Sequence, residues 1–179
     1  MRKPRIRIRE VYRALLGCVL LSAVAGSAVW GQTPSQDMKR SLEIVFPYDF
    51  SCSTFSSPST YGEVFWRLCE SEQDDVITTM QTGLFPEDSI DADPGLARAV
   101  AQQMVDAATV RLVDGKWDKL LWADFQGGKG FSAVGHRLDG RITRLLSITK
   151  ERRIFYITGV APEGRPEIDK FFNSVRLGD

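Results

Sequence analysis

The run Phe131-Ser132-Ala133-Val134-Gly135-His136-Arg137-Leu138-Asp139-Gly140-Arg141-Ile142-Thr143-Arg144-Leu145-Leu146-Ser147-Ile148-Thr149 decides the reading of the chain. Two β-rich stretches, Phe131–Leu138 and Arg141–Thr149, flank Asp139-Gly140. An Asp-Gly pair supplies the positive φ angles of a two-residue type I′ turn, whose twist matches that of paired strands. The same device stands just upstream, where Thr109–Val113 and Lys116–Phe125 flank Asp114-Gly115. A third turn at Lys150-Glu151-Arg152 leads into Ile154–Val160. Together these signals predict an antiparallel meander of hairpins.

Working outward, Leu42–Phe46 reads as a short strand stopped by Pro47. Phe50–Thr60, rich in Ser and Thr with Pro58, reads as irregular or edge-like. Gly62–Glu70 and Val76–Leu84 read as two strands about the polar turn Ser71–Asp75. Asp93 is a natural N-cap with Pro94 at the first helical position. Leu96, Val100 and Met104, with Ala99 and Ala107 on the adjoining face, make residues 94–108 an amphipathic helix. Pro166 opens a second helix, with Glu167 and Asp169 well placed against its dipole. Its apolar stripe is Ile168, Phe171, Phe172 and Val175.

Both parities are apolar in Ile154-Phe155-Tyr156-Ile157 and in Val64-Phe65-Trp66, so these strands are expected to be covered on both faces. The architecture that follows is α+β: a mostly antiparallel β-sheet flanked by helices on both faces, an α/β/α sandwich.

The N-terminus sets the expected compartment. Arg2, Lys3, Arg5, Arg7, Arg9 and Arg13 precede an apolar stretch, Ala14–Ala25, and then the small residues Gly26, Ser27, Ala28 and Gly31. That is the pattern of a secretory signal over residues 1–31. The alternative is an uncleaved anchor, since Ala14–Trp30 approaches the length of a tilted span; only in that case does the chain touch a membrane. Leu15-Leu16-Gly17-Cys18 resembles a lipidation box, but the longer apolar part lies after Cys18. No twin-Arg pair is present. Either way the remainder is expected outside the cytoplasm, periplasmic or extracellular. Residues 32–40 form a polar tether and residues 41–179 a single domain.

Six of the 23 basic residues and one of the 23 acidic ones fall in residues 1–31, leaving 17 and 22, a net charge of −5. Such a surface argues against nucleic-acid binding and favours a soluble, monomer-like domain. Past residue 31 two cysteines remain, Cys52 and Cys69. An even pair in an exported chain is a disulfide candidate, the alternative being two separate buried thiols.

The search for chemistry is short. His136 is the sole histidine; it is either a general base with a nearby Ser or Asp, or an ordinary, partly exposed strand residue. One histidine excludes a multi-histidine metal centre, and Cys52 and Cys69 lack zinc-ligand spacing. The acidic run Glu87–Asp93 departs from an EF-hand and reads as a solvated loop ending in a helix cap. Gly127-Gly128-Lys129-Gly130 is followed by a strand, not the helix of a phosphate loop. Val134 occupies the last position of a would-be G-x-S-x-G elbow. No catalytic, metal or cofactor residue is expected. At strand spacing Trp66, Trp117, Trp122, Phe125, Phe155 and Tyr156 read as core; the alternative, since Trp117 and Trp122 lie on opposite parities of one predicted strand, is that one of them is exposed or lines a cleft. The expected binding surface therefore comprises Trp117, Trp122, Phe125, Gly127, Gly128 and Gly130.

The C-terminal segments Arg153–Val160 and Asp169–Leu177 resemble the ending of bacterial exported PsbP-like domains, whose last helix carries an F-x-x-S-F-x-L motif. Phe171, Ser174 and Leu177 match it, with Val175 in place of the second Phe. Phe125–Gly130 is similar to the G-x-x-G segment of that family, and Leu42–Asp49 to its opening strand. The resemblance implies an α/β/α sandwich and non-catalytic binding, since relatives include an extrinsic photosystem subunit and a nuclear-transport GTPase partner. It carries over no functional residue. The function expected is an exported non-catalytic module that binds an envelope protein or a small ligand; the alternative is a small exported hydrolase using His136.

Overall fold

The computed structural model describes residues 41–59, 62–86 and 94–178. The signal segment, the tether, the Asp93 cap and the acidic run Glu87–Asp93 lie outside these residues. Nine strands are described: β1 Leu42–Glu43, β2 Ser51–Ser59, β3 Gly62–Gln73, β4 Val76–Leu84, β5 Lys119–Phe125, β6 Gly128–His136, β7 Ile142–Lys150, β8 Arg153–Ala161 and β9 Arg176–Leu177. Helix α1 is Pro94–Thr109 and α2 is Pro166–Asn173. Seven strands form one sheet in the order β2-β3-β4-β8-β7-β6-β5, every neighbouring pair antiparallel. β1 and β9 make a separate two-stranded ribbon, with Leu42 opposite Leu177.

The turns follow local chemistry. Asp74 and Asp75 join β3 to β4 with φ of 51° and 65°, left-handed values that a short polar side chain tolerates. Gln126-Gly127 joins β5 to β6 with φ of 50° and 81°, both positive as a type I′ turn requires. The Asp139-Gly140 turn differs from the two-residue form expected. Arg137 N–H donates to the Arg141 carbonyl at 2.8 Å and Gly140 N–H to the Arg137 carbonyl at 3.0 Å. Only Gly140 has positive φ, 79°. The loop is thus Leu138-Asp139-Gly140, a type I turn closed by a left-handed glycine. Asp114-Gly115 also turns, but not between strands. α1 runs on to Thr109, Leu112 forms an isolated bridge to Arg137, and β5 starts only at Lys119. The opening strand is shorter than expected: pairing with β9 ends at Glu43.

Side-chain parity builds the core. On β7 and β8 the set Leu146, Ile148, Phe155 and Ile157 packs with Leu42, Cys69, Met80, Phe171, Phe172, Val175 and Leu177. The other parity places Leu145 with Phe131, Ala133, Ala101 and Val105, and Ile154 with Val64 and Phe85. The packed stripe of α1 is Ala97, Val100, Ala101, Met104, Val105 and Ala108. The expected Ala99 and Ala107 are instead exposed. Alanine at 101 lets the helix approach closely enough for Ser147 Oγ to donate to the Ala101 carbonyl at 3.0 Å.

The α/β/α sandwich is not what the chain builds. Among the described residues strand accounts for 55% and helix for 20%, in two helices beside a seven-stranded sheet. The fold is β-rich, and helix dimensions explain why no helical layer forms. Seven strands at about 4.8 Å spacing span roughly 29 Å, whereas the one helix described on each face is only about 10 Å across. α2 sits chiefly over β4 and β8, with Arg144 of β7 paired to Asp169, and α1 lies chiefly over β6, β7 and β8. The ribbon β1–β9 and the Ile44–Phe50 segment complete the cover around α2.

Candidate ligand-binding cleft

The segment after β1 is fastened at both ends of α2. Ser174, just past the helix, accepts the Val45 N–H at 2.9 Å while its hydroxyl donates to the Phe171 carbonyl at 2.7 Å. At the other end Tyr48 Oη donates to Glu167 Oε1 and accepts from Arg165, each at 3.3 Å. Glu167's own backbone N–H lowers its pKa against the opposing effect of burial, with Arg165 and Tyr48 adding to the lowering. The hydrogen bond to Tyr48 in turn raises Arg165. Between these anchors Phe46 lies 5.2 Å from Phe171 and stacks on Phe50 at 4.4 Å.

This aromatic pair lies beside α2 over part of β3 and β4. The floor is Arg67 and Cys69 on β3 and Met80 on β4, and Leu42, Glu43 and Ile44 close one side. The cleft so formed holds about 380 Å³, at the lower end of the range of small-molecule sites. Its lining is apolar except for Glu43 and Arg67. The floor is fixed by pairing: Cys52 stands opposite Cys69 and Cys69 opposite Met80 in successive strands. Cys52 and Cys69 are joined as a disulfide. Arg67 is half-buried, and one guanidinium nitrogen lies 3.7 Å from Cys52 Sγ. Among the described residues it makes no ion pair.

The residues expected to form a binding surface are divided between the two faces of the sheet. β5 begins after Trp117, so the parity argument that separated the two tryptophans does not hold, and both pack on the same cluster below α1. The Trp122 ring meets Phe131 edge-on at 4.7 Å, with the Arg98 guanidinium 4.9 Å from its centroid. Phe125 packs on the cluster of the other parity, with Phe155 and Phe171. Gly128 and Gly130 are closed by β7. A Cβ on Gly130 would overlap the Ser147 carbonyl oxygen and lie 2.7 Å from Ile148 Cα; one on Gly128 would lie 2.7 Å from Ile148 Cγ2. Their missing side chains serve strand packing. Gly127 takes the left-handed turn position.

His136 Nδ1 lies 2.7 Å from Asp118 Oδ2, with 55% and 52% of the two side chains exposed. Asp118 is its one polar partner among the described residues. An acid–base pair is present there without a bonded hydroxyl or thiol.

The cleft residues were missed in the sequence, although one signal was legible. Arg67 is the single charge in Val64-Phe65-Trp66-Arg67-Leu68-Cys69, on the parity of the buried Cys69. No family model, no curated protein and no solved structure matches this chain, and nothing identifies a PsbP-like domain.

Proposed function

We propose that the chain is an exported, non-catalytic module that binds a small apolar ligand in the cleft under Phe46 and Phe50. The observation that carries this reading is an open cleft of about 380 Å³, lined mostly by apolar side chains, beside an arginine with no ion-pair partner among the described residues. The Cys52–Cys69 disulfide is compatible with an exported protein. The basic and apolar N-terminal pattern points to the periplasm or the extracellular space.

The full chain is titrated with the neutral fluorophore N-phenyl-1-naphthylamine. Saturable enhancement is expected, and Phe50→Ala is expected to weaken it. Phe50 is 53% exposed, so its removal opens the roof without emptying the core. Lack of saturation, or binding indifferent to Phe50→Ala, overturns the reading. Export is tested separately by mass spectrometry of the envelope fraction, where an N-terminus near Val29 or Gln32 is expected. A cytoplasmic chain that retains Met1 overturns it.

A further inference from the structure

We infer that the ligand is an apolar monocarboxylate whose head is held by Arg67; the inference rests on the cleft being a ligand site. Arg67 is the sole cation in the lining, and its neighbours there are Leu42, Ile44, Phe46, Phe50 and Met80, with the sulfur of Cys69. A half-buried guanidinium is stabilised when its planar fork of donors is matched, and a carboxylate matches it with two parallel N–H···O bonds. The contact it makes among the described residues, to Cys52 Sγ at 3.7 Å, is to a weak acceptor and leaves other donors of that fork for a ligand.

Glu43 narrows the class. It lines the same cleft and, among the described residues, makes no ion pair with Arg67. The lining therefore carries one charge of each sign. A single negative head balances Arg67, whereas a dianionic phosphate monoester brings a second charge against the Glu43 carboxylate. A neutral alcohol of the same length fills the apolar part and leaves the guanidinium unmatched. Of the two anions the monocarboxylate matches Arg67 with the smaller repulsion from Glu43.

The test displaces bound N-phenyl-1-naphthylamine from the full chain with decanoate, decanol and decyl phosphate at pH 7.4. Decanoate is expected to compete about tenfold or more better than decanol, the value of a hydrogen-bonded charge, and better than decyl phosphate. Arg67→Gln is expected to erase the preference over decanol while still binding the fluorophore. Equal competition by decanoate and decanol, or a preference that survives Arg67→Gln, overturns the inference and leaves the cleft reading standing. Decyl phosphate matching or exceeding decanoate overturns the monocarboxylate assignment. Failure of the fluorophore itself to bind removes the cleft reading and this inference together.

Discussion

Cys52 and Cys69 stand directly opposite each other on β2 and β3, with Cα atoms 4.1 Å apart and 17 positions apart in sequence. β2 is an edge strand with β3 as its one neighbour in the sheet, and most of its residues are exposed. Little apolar burial holds it, so the covalent link takes the role a core would otherwise fill. Because Cys69 also lines the cleft, the link ties β2 to the strand that carries Arg67.

Replacing the bridge by Cys52→Ser with Cys69→Ala is expected to lower stability by about 3 kcal/mol, the loop-closure entropy restored to the unfolded chain. Urea midpoints of the oxidised and double-variant proteins measure it. Equal midpoints would show that β2 is held by other means.

Phe171 is fully buried, and it contacts Phe46 and Phe172 at once. Phe171→Ala is expected to cost about 3–5 kcal/mol and to loosen the cleft roof, since Phe46 rests on that ring. Thermal melting together with fluorophore titration reads both effects. A variant with an unchanged midpoint would show that α2 does not pack as described.

The β3–β4, β6–β7 and β7–β8 hairpins were largely legible, because pairing between successive strands is local. The polar run Ser71–Asp75 marks the β3–β4 turn, and the stripe of α2 returns as Phe171, Phe172, Val175 and the flanking Ile168. What was not legible depended on where strands start and on distant partners. Trp117 changes role once β5 begins at Lys119 rather than Lys116. The type of the Asp139-Gly140 loop depends on Arg137 bonding to Arg141, which a two-residue motif does not encode. The cleft is built by residues 42–50 lying across β3 and β4, held by Ser174 more than a hundred positions away. No periodicity reports such a contact. Gly130 shows the same limit, since its need for hydrogen in place of a side chain comes from β7.

Gly130→Ala is accordingly expected to destabilise by about 1–3 kcal/mol through overpacking against Ser147 and Ile148. Gly164→Ala serves as a comparison, where no atom stands within 4 Å and the cost is that of a left-handed φ of 80° alone. Chemical denaturation of both decides whether the glycine acts through packing.

Asp139 carries the clearest pH signature. Desolvation by burial would raise its pKa, but hydrogen bonds from the side chains of Arg141 and Arg137 and from the Arg141 backbone outweigh that and hold it well below the usual carboxylate range. A lowered folded pKa contributes stability present above the unfolded value near 4 and lost as pH falls through the folded one. Asp139→Asn is expected to be less stable than the parent at pH 7 and to converge with it in strong acid. The difference is modest, because the carboxylate is 40% exposed and solvent screens the pair. Denaturant midpoints from pH 7 down to pH 2 follow it, and parallel curves would exclude the pairing in solution.

The last expectation separates the binding module from its enzymatic rival. His136 bonds Asp118 on an open surface, on a different part of the sheet from the cleft residues Arg67, Cys69 and Met80. A hydrolase built on that pair would also need a nucleophile within hydrogen-bond reach of the imidazole. Asp118 is the one polar partner described there, and Cys52 and Cys69 are bound to each other. His136→Ala is therefore expected to shift stability by no more than about 0.5 kcal/mol, as surface changes do, and to leave fluorophore and decanoate binding unchanged. The full chain and the variant are compared on a panel of ester and peptide substrates alongside the binding titrations. A hydrolytic activity present in the parent and abolished by this one substitution would replace the binding reading with an enzymatic one.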